Sequence, residues 1–297
     1  MSLYLQTTRF SIDLSQPRIM GIVNITPDSF SDGGQHADRG GALSHCEQLV
    51  RDGAHILDLG GESSRPGAPP LPVEEELARV LPILRDALTL GVPVSVDTYK
   101  AAVMQAALDL GADIINDIWA LRQPGVNGSA SAMDVVAQHP NCGVCLMHMH
   151  GEPQTMQLQP MSVTGTALRT SGTVEVGVCD EVRSFLEQRS HSLIAQGVDK
   201  SRIVWDMGIG FGKTIAQNFS LLQHQAEWLQ SGYPILVGWS RKSSLGAVTG
   251  LAVEQRMVPS VVAALLAVQQ GASVVRVHDV RETVAALQVW QAMIAQA

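Results

Sequence analysis

Asp97 and Asp206 each close an apolar run of this chain, and Lys242 and Arg276 stand at the ends of two later ones. An aspartate at the end of a buried strand accepts donors from a ligand or offsets positive charge that develops on it, while lysine and arginine bind anions. The run MGIVNITPDSFSDGG, residues 20–34, has a related design. Its apolar stretch Ile19–Val23 stops at Asn24, and a turn-rich loop follows with Pro27, Asp28, Ser29, Ser31, Asp32 and the pair Gly33-Gly34. Proline and paired glycines cannot continue the strand. A strand buried on both faces that hands an amide to a polar loop is how a barrel enzyme makes part of an active site. Polar groups end the other apolar runs too: Glu62 to Arg65, Asn116 with Asp117, His148, Ser240 to Ser243, and His278 two residues past Arg276. In SRKSSLG (240–246), Lys242 and Ser243 open a helix, which makes a ready anion site.

Eight strands must position these groups. The apolar runs predict strands at 18–24, 54–60, 93–97, 113–117, 142–148, 202–206, 234–239 and 273–277. Helical patterns lie between and after them at 40–52, 74–90, 100–110, 131–139, 176–196, 217–230, 257–270 and 280–296. Gly53, Gly91, Gly111, Gly197, Gly232 and Gly271 follow helices, as C-caps that tolerate positive φ. Eight βα units predict a (β/α)8 TIM barrel in a single domain spanning 1–297, rather than a doubly wound open sheet. Residues 1–17 read as a short hairpin that closes the bottom of the barrel, and 152–175 as a long loop after strand five. In such a barrel the C-terminal ends of all eight strands share one rim, where chemistry happens.

Composition narrows the classes. Of 297 residues, 45% are hydrophobic, 16% charged and 4% aromatic, with a net charge of −8. That suits small-residue helix–sheet packing and disfavours nucleic acid or an anionic membrane surface as partner. No signal peptide or bilayer-length apolar run is evident, so the expected location is the cytoplasm. Four cysteines make no disulfide scaffold, and Cys142 and Cys145 fall on opposite faces of a strand, as buried small residues. WDMGIGFGKT (205–214) is not a P-loop, because Met207 stands where the first glycine is required, and its glycines miss the dinucleotide spacing. It reads instead as a glycine-rich loop that lets a flat ligand approach while Asp206 projects inward. His148 and His150 have only Glu152 nearby as a third ligand, which favours packing over a transition-metal site.

Eight segments in order resemble the dihydropteroate synthase family: MGIVNITPDSFSDGG, LGGESSRPGA, SVDTYKA, IINDIWA, LMHMHGEPQTMQ, WDMGIGFGKT, GWSRKSSLG and VRVHDV. The resemblance spans essentially the whole chain and implies condensation of 6-hydroxymethyl-7,8-dihydropterin diphosphate with 4-aminobenzoate. It assigns the pterin's amino-pyrimidinone edge to Asp206 with Asn116, the opposite edge and its developing cation to Asp97, and the carbonyl side to Lys242. Arg276 and His278 match the diphosphate pocket, Ser64 belongs to the second loop beside it, and Asn24 would offer an oxygen to Mg2+. Phe30 in loop 28–34, with Arg65 and Pro66 in loop 63–68, would form a lid over 4-aminobenzoate; Phe211 would wall that pocket and Ser243 receive its carboxylate. A homodimer is implied as well. Met207 replaces the usual proline, His150 the usual glutamine, and 158–178 is longer than usual. Other readings are a methyltetrahydrofolate:corrinoid methyltransferase, which needs no Arg276–His278 anion pocket, and a non-catalytic paralogue, which would have lost one of Asn24, Asp97, Lys242 or Arg276.

Overall fold

The computed structural model describes residues 3–25, 35–63, 65, 67–125, 128–161 and 174–295. Eight parallel strands close into a barrel: β3 (Arg18–Asn24), β4 (Ile56–Gly60), β5 (Val94–Asp97), β6 (Ile114–Asp117), β7 (Gly143–Met147), β8 (Ile203–Asp206), β9 (Ile235–Val237) and β10 (Val274–Val277), which returns to β3. The TIM barrel expected from the alternating runs is the fold. Helices α1 (Gln35–Arg51), α2 (Val73–Ala87), α3 (Ala101–Leu110), α4 (Ala132–Gln138), α5 (Val174–Ala195) and α6 (Ile215–Gln223) follow β3 to β8 in turn. Two helices, α7 (Ser243–Thr249) and α8 (Met257–Gln269), lie between β9 and β10, and α9 (Val280–Ile294) comes last. Ser131 with Asp134, and Thr214 with Gln217, form capping boxes at the starts of α4 and α6. All six glycines expected after helices have positive φ.

The helix expected over 217–230 is broken. It stops at Gln223, and 225–231 continues as a 3-10 helix. Tertiary contacts account for the break: Gln225 turns inward and its amide donates to the carbonyls of Ala267 (2.9 Å) and Gln270 (3.2 Å) at the end of α8, while Trp228 is buried nearby.

Side chains alternate between two packing layers. Ile19, Leu57, Val96, Ile115, Val144, Trp205, Val237 and Val275 face outward into the helices. Met20, Ile56, Ile114, Cys145, Val204, Leu236 and Val274 face into the barrel. The hairpin β1 (Tyr4–Gln6) and β2 (Ser11–Asp13) seals that inner layer from below, adding Leu5, Ile12 and Leu14 to it. An ion pair fastens the plug: Arg9 reaches fully buried Asp113, its Nη2 2.6 Å from the carboxylate. Cys142 belongs to the outer layer and Cys145 to the inner one, as the strand period requires.

Candidate active site

Two residues beyond the inner apolar layer, the same alternation turns polar. Asp58 stands two past Ile56, Asn116 two past Ile114, Asp206 two past Val204, and Arg276 two past Val274. Asp97 pairs in register with Asn116 on one side and Gly60 on the other, and Asn24 sits opposite Gly60 at the end of β3. The barrel mouth is therefore a charged ring on an apolar plug.

Arg276 bridges this ring. Its Nε donates to Asp58 at 2.6 Å and its Nη2 to Asp97 at 2.8 Å. Asn116 also donates to the Asp58 carboxylate, at 3.2 Å. Asp58 is wholly buried, and its other oxygen has no partner among the described residues. Asp58 is not among the residues singled out from sequence; its inward aim follows from the register that places Ile56, two residues earlier, in the inner layer. Burial pushes Asp97 up to about 7, against the pull of Arg276 and with the charge of Asp58 adding to the rise. Burial likewise raises Asp206, while the Gly208 N–H (2.7 Å) and Lys242 hold it back.

Lys242 reaches the mouth from the turn after β9. Arg241 takes a left-handed conformation there (φ 58°), and its guanidinium pairs with Asp279 at 2.6 Å. Arg241 is thus structural. Lys242 lies over the Phe211 ring, 4.2 Å from its centroid, and burial pushes its ammonium down to about 8. Ser243 is exposed at the first position of α7.

His278 is held neutral. Burial and the charges of Arg276, Arg241, Arg65 and Lys242 press it down to about 3. The Ser240 hydroxyl accepts from the His278 backbone N–H (3.1 Å) and is also hydrogen-bonded to Nδ1 of that ring (2.9 Å).

Other rim residues point elsewhere. Asp117 faces outward, where its carboxylate accepts from the N–H groups of Trp119 and Leu121, both at 2.7 Å. It thereby holds a turn in which Ala120 and Leu121 adopt positive φ. His148 is buried edge-on against Phe185, with ring centroids 5.0 Å apart. Glu62 is engaged by the Lys100 ammonium and the Tyr99 hydroxyl. Arg65 is exposed beyond it. Phe30, Ser64 and Pro66 lie outside the described residues, as do 28–34 and 162–173 of the two expected loops.

Two of the glycines of 208–212 are required by the neighbouring loop. Gly208, Gly210 and Gly212 have φ of 67°, 81° and 67°. A Cβ on Gly208 would fall 1.8 Å from the His148 carbonyl oxygen, and one on Gly212 2.2 Å from that of His150. Met207, in place of a proline, is buried in the outer layer. Ile118, Met147, Met149, Met156 and Phe211 build an apolar wall at the mouth, flanked by Tyr99 and by Trp119 stacked on it. Such a wall beside two carboxylates and two cations suits a flat, polar-edged ring that carries an anionic arm.

Comparison with known proteins agrees. Residues 20–278 match the family of pterin binding enzymes. The dihydropteroate synthase of Neisseria meningitidis serogroup B is 46% identical over 294 residues, covering 97% of this chain and 96% of that protein. A crystal structure of Burkholderia cenocepacia dihydropteroate synthase complexed with 7,8-dihydropteroate superposes with a TM-score of 0.84 at 46% identity, covering 99% and 98% of the two chains. The Xanthomonas albilineans enzyme with 4-aminobenzoic acid gives 0.86 at 45%, covering 99% of each. The chain belongs to the pterin binding enzymes and, within them, to the dihydropteroate synthase family.

Proposed function

We propose that this chain is a catalytically competent dihydropteroate synthase, a transferase of folate biosynthesis. It joins 6-hydroxymethyl-7,8-dihydropterin diphosphate to 4-aminobenzoate and releases 7,8-dihydropteroate and pyrophosphate. The observation that carries the reading is the ring at the barrel mouth, which sets Asp97, Asp206 and Asn116 against Arg276 and Lys242 beside one apolar wall.

The chemistry follows from these partners. Asp206 accepts donors from the pterin's amino-pyrimidinone edge, with Asn116 beside it, and Lys242 leaves Phe211 to donate to the carbonyl side. The bond from the exocyclic methylene to the diphosphate oxygen then breaks, its electron pair leaving with pyrophosphate. Positive charge spreads over the pterin, where ionised Asp97 stabilises it more than it stabilises the neutral ground state. Asp58 and Asp97 take one N–H each of Arg276, so the guanidinium keeps further donors for the leaving group. His278, kept neutral by burial and by the cations around it, can offer a ring N–H to a phosphate oxygen without the cost of another buried cation. The amine of 4-aminobenzoate attacks the methylene and loses one proton as the C–N bond forms. Phe211 walls this nucleophile, Ser243 receives its carboxylate, and Phe30, Ser64, Arg65 and Pro66 belong to the loops that exclude water from the cation.

Mg2+ fits this site as a companion of the diphosphate. Among the described residues no group of three or more His, Cys, Asp or Glu could hold a metal. The Asn24 amide oxygen therefore suits an ion held chiefly by phosphate oxygens and water, which is how Mg2+ is usually bound. Bound there, it would offset charge on the departing pyrophosphate.

The same reading includes a homodimer and a cytoplasmic location. Helix α8 packs Ala263, Ala264, Ala267 and Val268 on the barrel but exposes Met257, Val258, Val262 and Leu266, an apolar stripe that suits a second copy. Among the described residues no helix is long and apolar enough to cross a membrane.

The test is pyrophosphate release from the pterin diphosphate with and without 4-aminobenzoate and Mg2+, with product identified by mass. Absence of an aminobenzoate-dependent product at micromolar enzyme overturns the reading.

A further inference from the structure

The segment after β8 ends in a lysine that none of the roles above employs. Lys213 is 2% exposed, yet no carboxylate among the described residues bonds its ammonium. Its three hydrogens go to three backbone carbonyls: Gly208 at 2.9 Å, His148 at 3.2 Å and Phe211 at 3.3 Å. Burying an ammonium on carbonyl dipoles alone is expensive. Burial accordingly pushes it down to about 7, with Lys242 adding to the fall and Asp206 opposing it.

Those carbonyls belong to two loops, and other bonds run the same way. The Met161 N–H donates to Gly212 (2.8 Å), the Gln157 amide to Gly210 (2.6 Å), and the Gln217 amide to Met161 (2.9 Å). Gly208 and Gly212 let the backbones touch at His148 and His150. The wall at the mouth is assembled from both loops, with Met149 and Met156 from one and Phe211 from the other. Lys213 joins the two loops from within the buried seam, as Met161 and Gln217 also do, but it alone of these three is charged and reaches Gly208 and Phe211 on one side and His148 on the other; Gln157 is exposed.

We propose that Lys213 is a positioning residue: its ammonium clasps the loop after β7 to the loop after β8 and thereby fixes Phe211 as the wall of the 4-aminobenzoate pocket. This rests on the synthase reading for the ligand but not for the clasp. A side chain that merely filled space would change stability without separating the two substrates. A clasp changes the substrate that meets Phe211 more than the one held by Asp206 and Asn116.

The experiment uses Lys213→Met and Gln157→Ala in the full chain. The second variant removes one exposed bond and leaves the core untouched. Steady-state kinetics for both substrates are read beside amide exchange of the unliganded protein. In Lys213→Met the KM for 4-aminobenzoate should rise on the order of tenfold, and that for the pterin diphosphate less than about threefold. Gln157→Ala should move the same constant by about threefold. Exchange should quicken together at 148–161 and 207–213, and not at 101–125. Equal rises in both KM values, a stability loss with both unchanged, or exchange quickened in one loop alone overturns the proposal. If Lys213→Met does not fold, an unchanged aminobenzoate KM in Gln157→Ala overturns it. A wild-type protein that makes no dihydropteroate refutes the synthase reading, and paired exchange then decides the clasp alone.

Discussion

Asp97→Asn separates catalysis from folding more cleanly than any other change at this site. The substitution keeps the shape of the side chain and removes one charge. Arg276 retains its 2.6 Å bond to Asp58, so the variant leaves no cation unpaired in the mouth. Loss of one group set against transition-state charge costs about 2.7–4 kcal/mol, or roughly 10²–10³ in kcat. Pterin affinity should hold, because Asp206 and Asn116 carry it. The acid form of Asp97 cannot stabilise a cation, so wild-type kcat/KM for the pterin diphosphate should fall below a pH of about 7. At pH 6 it should be roughly a tenth of the plateau. The variant should lose this limb. Stability moves the other way: the folded-state pKa of Asp97 lies above its ordinary value of 3.8, so its contribution is fully present below that value and lost as pH rises through about 7. Relative to wild type, Asp97→Asn should therefore gain stability as pH rises over that window. Pyrophosphate release and thermal denaturation from pH 5 to 9 measure both. A variant with normal kcat and weakened pterin binding, or one that keeps the acid limb, refutes the reasoning.

Four further outcomes are expected. Gly208→Ala places a Cβ 1.8 Å from a carbonyl oxygen and should cost more than ~3 kcal/mol in urea denaturation. Gly250→Ala, also at positive φ (72°) but with nothing within 4 Å of the new atom, should cost about 1–2 kcal/mol. Arg9→Met strips the fully buried Asp113 of its guanidinium and should lower stability by about 3 kcal/mol with both KM values unchanged, because the plug lies at the far end of the barrel. Arg276→Lys cannot reach Asp58 and Asp97 together as the planar fork does, so kcat/KM for the pterin diphosphate should fall ~10²-fold, as an initial-rate series would show.

The barrel was legible because each strand is a short apolar run and most helices end in a glycine of positive φ. The charged ring was legible only in part. A strand buried on both faces carries no hydrophobic alternation, so residues 54–60 do not reveal that Asp58 points in, and 113–117 do not reveal that Asp117 points out. Register supplies that information, and it became readable once Ile56 and Ile114 were placed in one layer. The neutrality of His278 is not legible in sequence for another reason: its environment is built from Arg65, Arg241, Lys242 and Arg276, which are far apart in the chain. Lys213 gave no signal, because its partners are carbonyls, which every residue has.

Cys145 in β7 and Cys142 just before it make this strand a clock for how the barrel comes apart. All four thiols are buried and unpaired, but only Cys145 faces the lumen. A thiol reagent reaches Cys142 when the helical coat lifts, whereas Cys145 waits until strands part or the hairpin withdraws. Labelling rates at positions three residues apart therefore order those events in time. Equal rates mean that coat and lumen open as one; a lag at Cys145 means that the barrel outlives its helices.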